Sequence, residues 1–212
     1  MTNNEFINDL VVLVADKNME YAVRGILSRT DSLNIREVSA LFHVHPEHDP
    51  GCFLRGHLFL NLYIKHCAHA LILLDREGSG QENLVRDSME AEIERQLTRC
   101  GWGDRAAAIV IEPELDIWVW SNSPHVDSVL GWEGKSPKLR DRLRNEEYLL
   151  EGVVKPERPK EALEFALRIA HKPRSSSLYR QIAQKVSLER CIDPSFVKLK
   201  STLQKWFAIE SL

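Results

Sequence analysis

Three uninterrupted apolar runs, at residues 10–15, 70–74 and 106–111, most constrain what this chain can fold into. A strand with one face in water alternates apolar and polar residues, whereas a strand covered on both faces does not. Each run is therefore read as a buried strand of a parallel sheet, and none is long enough to cross a bilayer. The segments between them carry helical signals. Asn18 is a candidate cap for a helix bearing Met19, Ala22, Ile26 and Leu27, and residues 53–64 return to helical apolar spacing. Residues 81–99 form an amphipathic helix that Gly101 and Gly103 stop. With residues 35–44 as a further strand, the order is βαβαβαβ. The expected fold is α/β, a mostly parallel Rossmann-type sheet flanked by helices with right-handed crossovers.

After Glu112 the texture changes. Pro113 suits the first turn of a helix through residues 115–120, and residues 121–131 read as a turn-rich connector. Helical segments follow at about 136–150, 160–171, 176–188 and 194–207, with Lys155, Pro156 and Pro159 in a hinge-like stretch. The chain thus divides into an α/β core over residues 1–130 and a helical C-terminal extension over residues 131–212, packed on that core.

The net charge of −3 hides an asymmetry: residues 1–130 carry a net −9 and residues 131–212 a net +6. The basic half suits a phosphate backbone, a solvated helix face, or docking against the acidic half. Residues 1–5 show no basic segment leading into a long apolar one, and Cys52, Cys67, Cys100 and Cys191 form no C-x-x-C pair. The expectation is a cytoplasmic protein with reduced thiols and no membrane partner.

The run at 70–74 ends in Asp75-Arg76-Glu77-Gly78. Alternate residues on an extended chain point the same way, so Asp75 and Glu77 present two carboxylates at the carboxyl end of a strand, where open α/β sheets bind ligands. Hard oxygen donors suit Mg²⁺, or Mn²⁺. A second candidate metal site lies in His43, His45, His48 and Asp49, in a polar loop containing Pro46 and Pro50. It would make a His-loop metallohydrolase if the imidazoles converged. Trp102, Trp118, Trp120 and Trp132 suit either base stacking or a core.

Taken in this order, the segments resemble the Toprim catalytic fold of topoisomerases, primases and overcoming-lysogenization-defect nucleases. The nearest likeness is to the small standalone Toprim-like proteins of the DUF4276 kind, found in bacterial defence loci. The first motif is matched by Val14-Ala15-Asp16-Lys17-Asn18-Met19-Glu20, the second by Asp75-Arg76-Glu77-Gly78, and the third by Glu112-Pro113-Glu114-Leu115-Asp116-Ile117-Trp118. The likeness spans residues 9–125. The family's strand-terminal glutamate aligns with Ala15, leaving Asp16 as the next carboxylate.

The resemblance implies a Mg²⁺-dependent nuclease, or a nuclease-like subunit, in anti-phage defence. Asp16, Lys17, Glu20, Asp75 and Glu77 would form the catalytic set, and Asp75, Glu77, Glu112 and Glu114 the metal ligands. Lys17 or Arg76 would neutralise developing charge, and water would serve as nucleophile. Partners would be nucleic acid and other defence proteins. For the nucleic acid, Arg140, Arg142 and Arg144 offer an electrostatic contact. The loss of the strand-one glutamate leaves a second expectation, a non-catalytic interaction subunit that keeps the fold.

Overall fold

The computed structural model of the protein describes residues 6–209. Residues 1–5, read above for a leader, lie outside them. Strands β1 (Asn8–Val14), β2 (Ala40–Val44), β3 (Cys67–Asp75) and β4 (Ala106–Ile111) form one all-parallel sheet in the order β2-β1-β3-β4. The apolar runs sit where continuous burial requires them. Residues Leu10 to Val14 of β1 and Ala70 to Leu74 of β3 are fully buried. Each such Leu, Ile or Val side chain contributes about 1.5–3 kcal/mol.

Helix α1 (Lys17–Leu27) carries the chain from β1 to β2, and a single turn, α2 (Thr30–Leu33), follows it. Helix α3 (His48–Asn61) then returns past β1 to β3, and α4 (Arg86–Arg99) leads on to β4. Right-handed crossovers that step in opposite directions place their helices on opposite faces of the sheet, so α3 and α4 pack together away from α1. The reversal occurs between β1 and β3. A crevice therefore opens beyond their carboxyl ends, where ligands bind in sheets of this topology. Close approach depends on glycine at two places: a Cβ on Gly56 of α3 would lie 2.9 Å from Ile72 Cδ1, and one on Gly25 of α1 would lie 2.8 Å from Ala183 Cβ.

The remaining helices are α5 (His125–Leu130), α6 (Leu139–Asn145), α7 (Pro159–Ile169), α8 (Ser176–Lys185) and α9 (Pro194–Trp206). Helix α8 lies along α1, and α9 along β4. Arg29 of the α1–α2 junction donates to the carbonyls of Ala183 and Val186, satisfying orphan acceptors at the end of α8. Three indoles fasten the stretch from Trp118 to Trp132 to these helices. Trp118 Nε1 donates to Ser195 Oγ, Trp120 Nε1 to the Pro159 carbonyl and Trp132 Nε1 to the Ala166 carbonyl. With Trp102 they are at most 7% exposed, which gives them to the core and leaves no face for a base to stack on.

Several boundaries differ from the sequence reading. Strand β2 begins at Ala40 rather than residue 35, because Ile35 bridges to Ala208 and Arg36 N–H donates to the Phe207 carbonyl. Asp16, not Asn18, caps α1, accepting from Met19 N–H at 2.8 Å. Helix α3 starts inside the stretch read as a polar loop. Pro50 falls in its first turn, where a missing N–H loses no helical bond. Helix α4 starts at Arg86 rather than Gln81, and residues 115–118 form only a 3-10 turn. The connector contains the short helix α5. Among the described residues no helix is long and apolar enough to cross a membrane.

Candidate functional site

The parallel register sets the site. Val14 pairs with Leu73, so Asp16 and Asp75, each two residues further on, reach the carboxyl edge at one level. In the register between β3 and β4, Asp75 faces Ile111, and the chain continues from there to Glu114 and Asp116. The first turn of α3 adds Asp49. Asp16, Asp49, Asp75, Glu77, Glu114 and Asp116 line one pocket with Asn18, and two cations, Lys160 and Arg174, complete its wall.

Each acid has a distinct set of partners. Asp75 N–H donates to Asp49 Oδ1 at 2.7 Å, while Asp75 Oδ1 is buried with no hydrogen-bond partner. Burial raises the Asp75 carboxyl well above the ordinary range, and the charges of Asp49, Asp16, Glu114 and Asp116 add to the rise. Asp49 is also raised, mainly by burial and then by Asp16. Glu114 is pushed up to about 7 by burial and by Asp116, against the opposing pull of Lys160 at 3.9 Å. Asp116, 2% exposed, accepts from Tyr179 Oη at 2.7 Å and from Arg174 Nη2 at 2.8 Å. Its carboxyl is nevertheless raised, because burial outweighs the arginine.

The second motif closes through its own loop. Gly78 adopts φ +83°, and its N–H and that of Gly80 both donate to Glu82 Oε1. Arg76 holds the loop shut by donating to the carbonyls of Leu84 and Glu82, and it pairs with Glu112 at 3.3 Å. Glu77 stays exposed at the pocket rim.

Of the residues singled out in the sequence, Asp16, Asp49, Asp75, Glu77 and Glu114 come together. Glu112 does not, since it turns to Arg76. Glu20, on α1, is 8% exposed and paired with Lys17 at 3.5 Å and Arg24 at 2.9 Å, and both Glu20 and Lys17 line a separate groove beside β2. The His-rich segment also separates. His43 lies 4.8 Å from the Tyr63 ring and 5.3 Å from that of Phe59, His45 Nδ1 accepts from Glu47 N–H, and His48 Nδ1 meets the Ala15 carbonyl at 3.0 Å. Only Asp49 from that segment reaches the pocket.

Arg140 is turned inward onto the carbonyls of Val154 and Ser121. Arg142 pairs with Glu146, and Arg144 with Asp141 and Glu151. Lys160, Arg174 and Asp116 were not read from the sequence as site residues. Asp116 stood within the third motif without a role, and the only trace of Lys160 and Arg174 was the charge asymmetry between the two halves of the chain.

Among the described residues no three His, Cys, Asp or Glu side chains have the spacing of a finished metal site. The orphaned, buried Asp75 Oδ1 among five further acids nonetheless fits a cation, since hard oxygens are in place and one lacks any donor. Asp75, Asp49, Asp16 and Glu114 are the residues that would hold it. The chain matches no protein-family model, no curated protein and no solved structure.

Proposed function

We propose that the protein is a divalent-cation-dependent enzyme acting on phosphodiesters, a Toprim-like nuclease whose centre is the acidic pocket at the β1/β3 crevice. The carrying observation is Asp75 Oδ1, buried without a partner at a strand end, with the carboxylates of Asp16, Asp49 and Glu114 around the same cavity. Such a cluster is electrostatically unfavourable when empty, and an ion of opposite charge relieves it. A bound Mg²⁺ or Mn²⁺ would supply Lewis acidity toward a phosphoryl oxygen and a more acidic water. The chain's own contribution is to hold Asp75 rigidly on β3 and to keep Asp116 fixed by Arg174 and Tyr179.

The place in bacterial defence, with nucleic acid and other defence proteins as partners, rests on the resemblance alone. The four free cysteines support a reducing, cytoplasmic setting. A non-catalytic subunit is the second reading, favoured by Ala15 in place of the family's glutamate and by carboxylates that have not converged. One experiment decides between the two. Purified protein and Asp75→Asn are incubated with single- and double-stranded DNA and RNA in Mg²⁺, Mn²⁺ or EDTA, beside calorimetric Mn²⁺ titration. The enzyme reading expects metal-dependent cleavage that the variant and EDTA both lose. Mn²⁺ binding without cleavage of any substrate favours the non-catalytic subunit, and absence of both overturns the metal centre.

A further inference from the structure

The two cations in the acidic pocket differ in how tightly they are engaged. Arg174 is fixed: Nη2 donates to Asp116 at 2.8 Å, Nε to Tyr179 Oη at 2.8 Å, and Nη1 reaches Glu164 at 3.4 Å. Lys160 is not. Its ammonium is 3.9 Å from Glu114 Oε2, beyond hydrogen-bond length, and its side chain is 48% exposed. Its backbone, by contrast, is well placed. The neighbouring Pro159 carbonyl accepts from the buried indole of Trp120, which anchors the start of α7 against the core. The result is a half-exposed ammonium without a close partner, on an anchored stem, in the wall of a cavity lined mainly by acids.

A long-range ammonium–carboxylate pair at a half-exposed position is worth little to stability, about 0–1 kcal/mol. Pairing with Glu114 alone therefore leaves the Lys160 ammonium with little to do in this pocket. A cation bound among the acids would take over compensation of Glu114 and free the ammonium to meet an incoming anion. We propose that Lys160 is the substrate-phosphate-binding residue of this pocket, so that the C-terminal helices, rather than the sheet edge, provide the anion-binding half of the site. This rests on the metal-centre reading above. The ligand class is a phosphodiester or phosphomonoester presented beside a bound divalent cation. Of the two cations expected from the sequence to neutralise charge, Arg76 is committed to the 76–84 loop, and Lys17 lines the separate groove beside β2 and not this pocket.

The test compares wild type, Lys160→Met and Lys160→Arg in two titrations. One measures Mn²⁺ affinity by calorimetry. The other measures a 5′-phosphorylated thymidine dinucleotide in Ca²⁺, with its unphosphorylated counterpart as control. Lys160→Met should bind the phosphorylated dinucleotide about five- to tenfold more weakly, the loss of one charge-assisted contact. Its Mn²⁺ affinity should be equal to or higher than that of wild type, because a competing cation is gone. Lys160→Arg should recover most of the dinucleotide affinity. Normal Mn²⁺ binding with undiminished dinucleotide affinity in Lys160→Met overturns the role of Lys160 and leaves the metal centre standing. Wild type that binds no Mn²⁺ overturns both.

Discussion

The backbone N–H of Asp75 donates to the carboxylate of Asp49, 2.7 Å away and 26 residues earlier in the chain. This bond joins the end of β3 to the first turn of α3 and holds one acid beside another whose Oδ1 has no donor at all.

The electrostatic consequence is testable without any substrate. Asp75→Asn keeps the shape and removes a carboxyl whose ionisation burial and the neighbouring acids oppose, so at neutral pH the metal-free variant should be more stable than wild type by about 1 kcal/mol. For a chain of this size that is about 2–4 °C in Tm. Added Mn²⁺ should raise the Tm of wild type and leave the variant unmoved, since a ligand stabilises only the state that binds it. A variant that melts lower than wild type in EDTA, or gains equally from Mn²⁺, would remove Asp75 from the centre.

A second acidic group has a different task. Glu90 and Glu94 of α4 accept the N–H groups of Val110 and Ala108 on β4, and Lys198 of α9 bridges both carboxylates at 3.1 and 2.7 Å. An edge strand usually presents unpaired N–H groups to the outside, and here side chains close it. Lys198→Met removes the counter-charge shared by two adjacent carboxylates, one of them 4% exposed, and leaves only Arg86, 4.0 Å from Glu90. The expected loss is about 1–3 kcal/mol in urea unfolding at neutral pH, with a larger tendency to self-associate. An unchanged urea midpoint would show the bridge to be incidental.

Burial and the nearby guanidinium groups of Arg105 and Arg36 hold the His69 imidazole down at about 4, stacked on Trp206 with ring centroids 4.5 Å apart. Because the folded value lies below the ordinary one near 6.5, the stability tied to neutral His69 is complete above that value. It declines as pH falls from 6.5 toward 4. The slope from one proton is at most about 1.4 kcal/mol per pH unit. His69→Phe keeps an aromatic ring in the stack and should flatten the stability profile between pH 6.5 and 4. A profile as steep as that of wild type would assign the acid sensitivity to other groups.

The strands were readable because burial on both faces forces continuous apolar runs, and β4 runs from Ala106 to Ile111 as the residues suggest. The shortfall at β2 has a nonlocal cause: Ile35 and Arg36 pair with residues 207 and 208 across nearly the whole chain. The same division runs through the pocket. Asp75 was visible because a carboxylate at a strand end carries a local signal, and Asp16 and Glu114 were named only through the resemblance. Asp49 was read as part of a histidine motif, since nothing in the sequence says that α3 starts at His48 and turns its first acid toward β3. Lys160 and Arg174 arrive by packing of α7 and α8, and only the opposed charges of the two halves hinted that they would.

The arginines of α6 can be separated by what each already does. Arg140 binds two carbonyls, so its replacement would loosen the 121–154 region and confuse folding with electrostatics. Arg142 and Arg144 form ion pairs with exposed or half-buried acids near them in sequence, and Arg142 also lies at the edge of cation–π range, 5.9 Å from the Phe165 ring centroid; such ion pairs are easily exchanged for a phosphate. The Arg142→Gln, Arg144→Gln double variant should therefore fold normally. It should bind a labelled single-stranded oligonucleotide more weakly and reduce the slope of log affinity against log salt by about one to two. The acidic pocket repels a phosphate backbone until a cation occupies it, so another surface has to hold the strand in the meantime. Salt titrations of wild type and the double variant in Ca²⁺ measure this directly. Superimposable curves would return α6 to the role of a solvated helix whose charges serve its own acids.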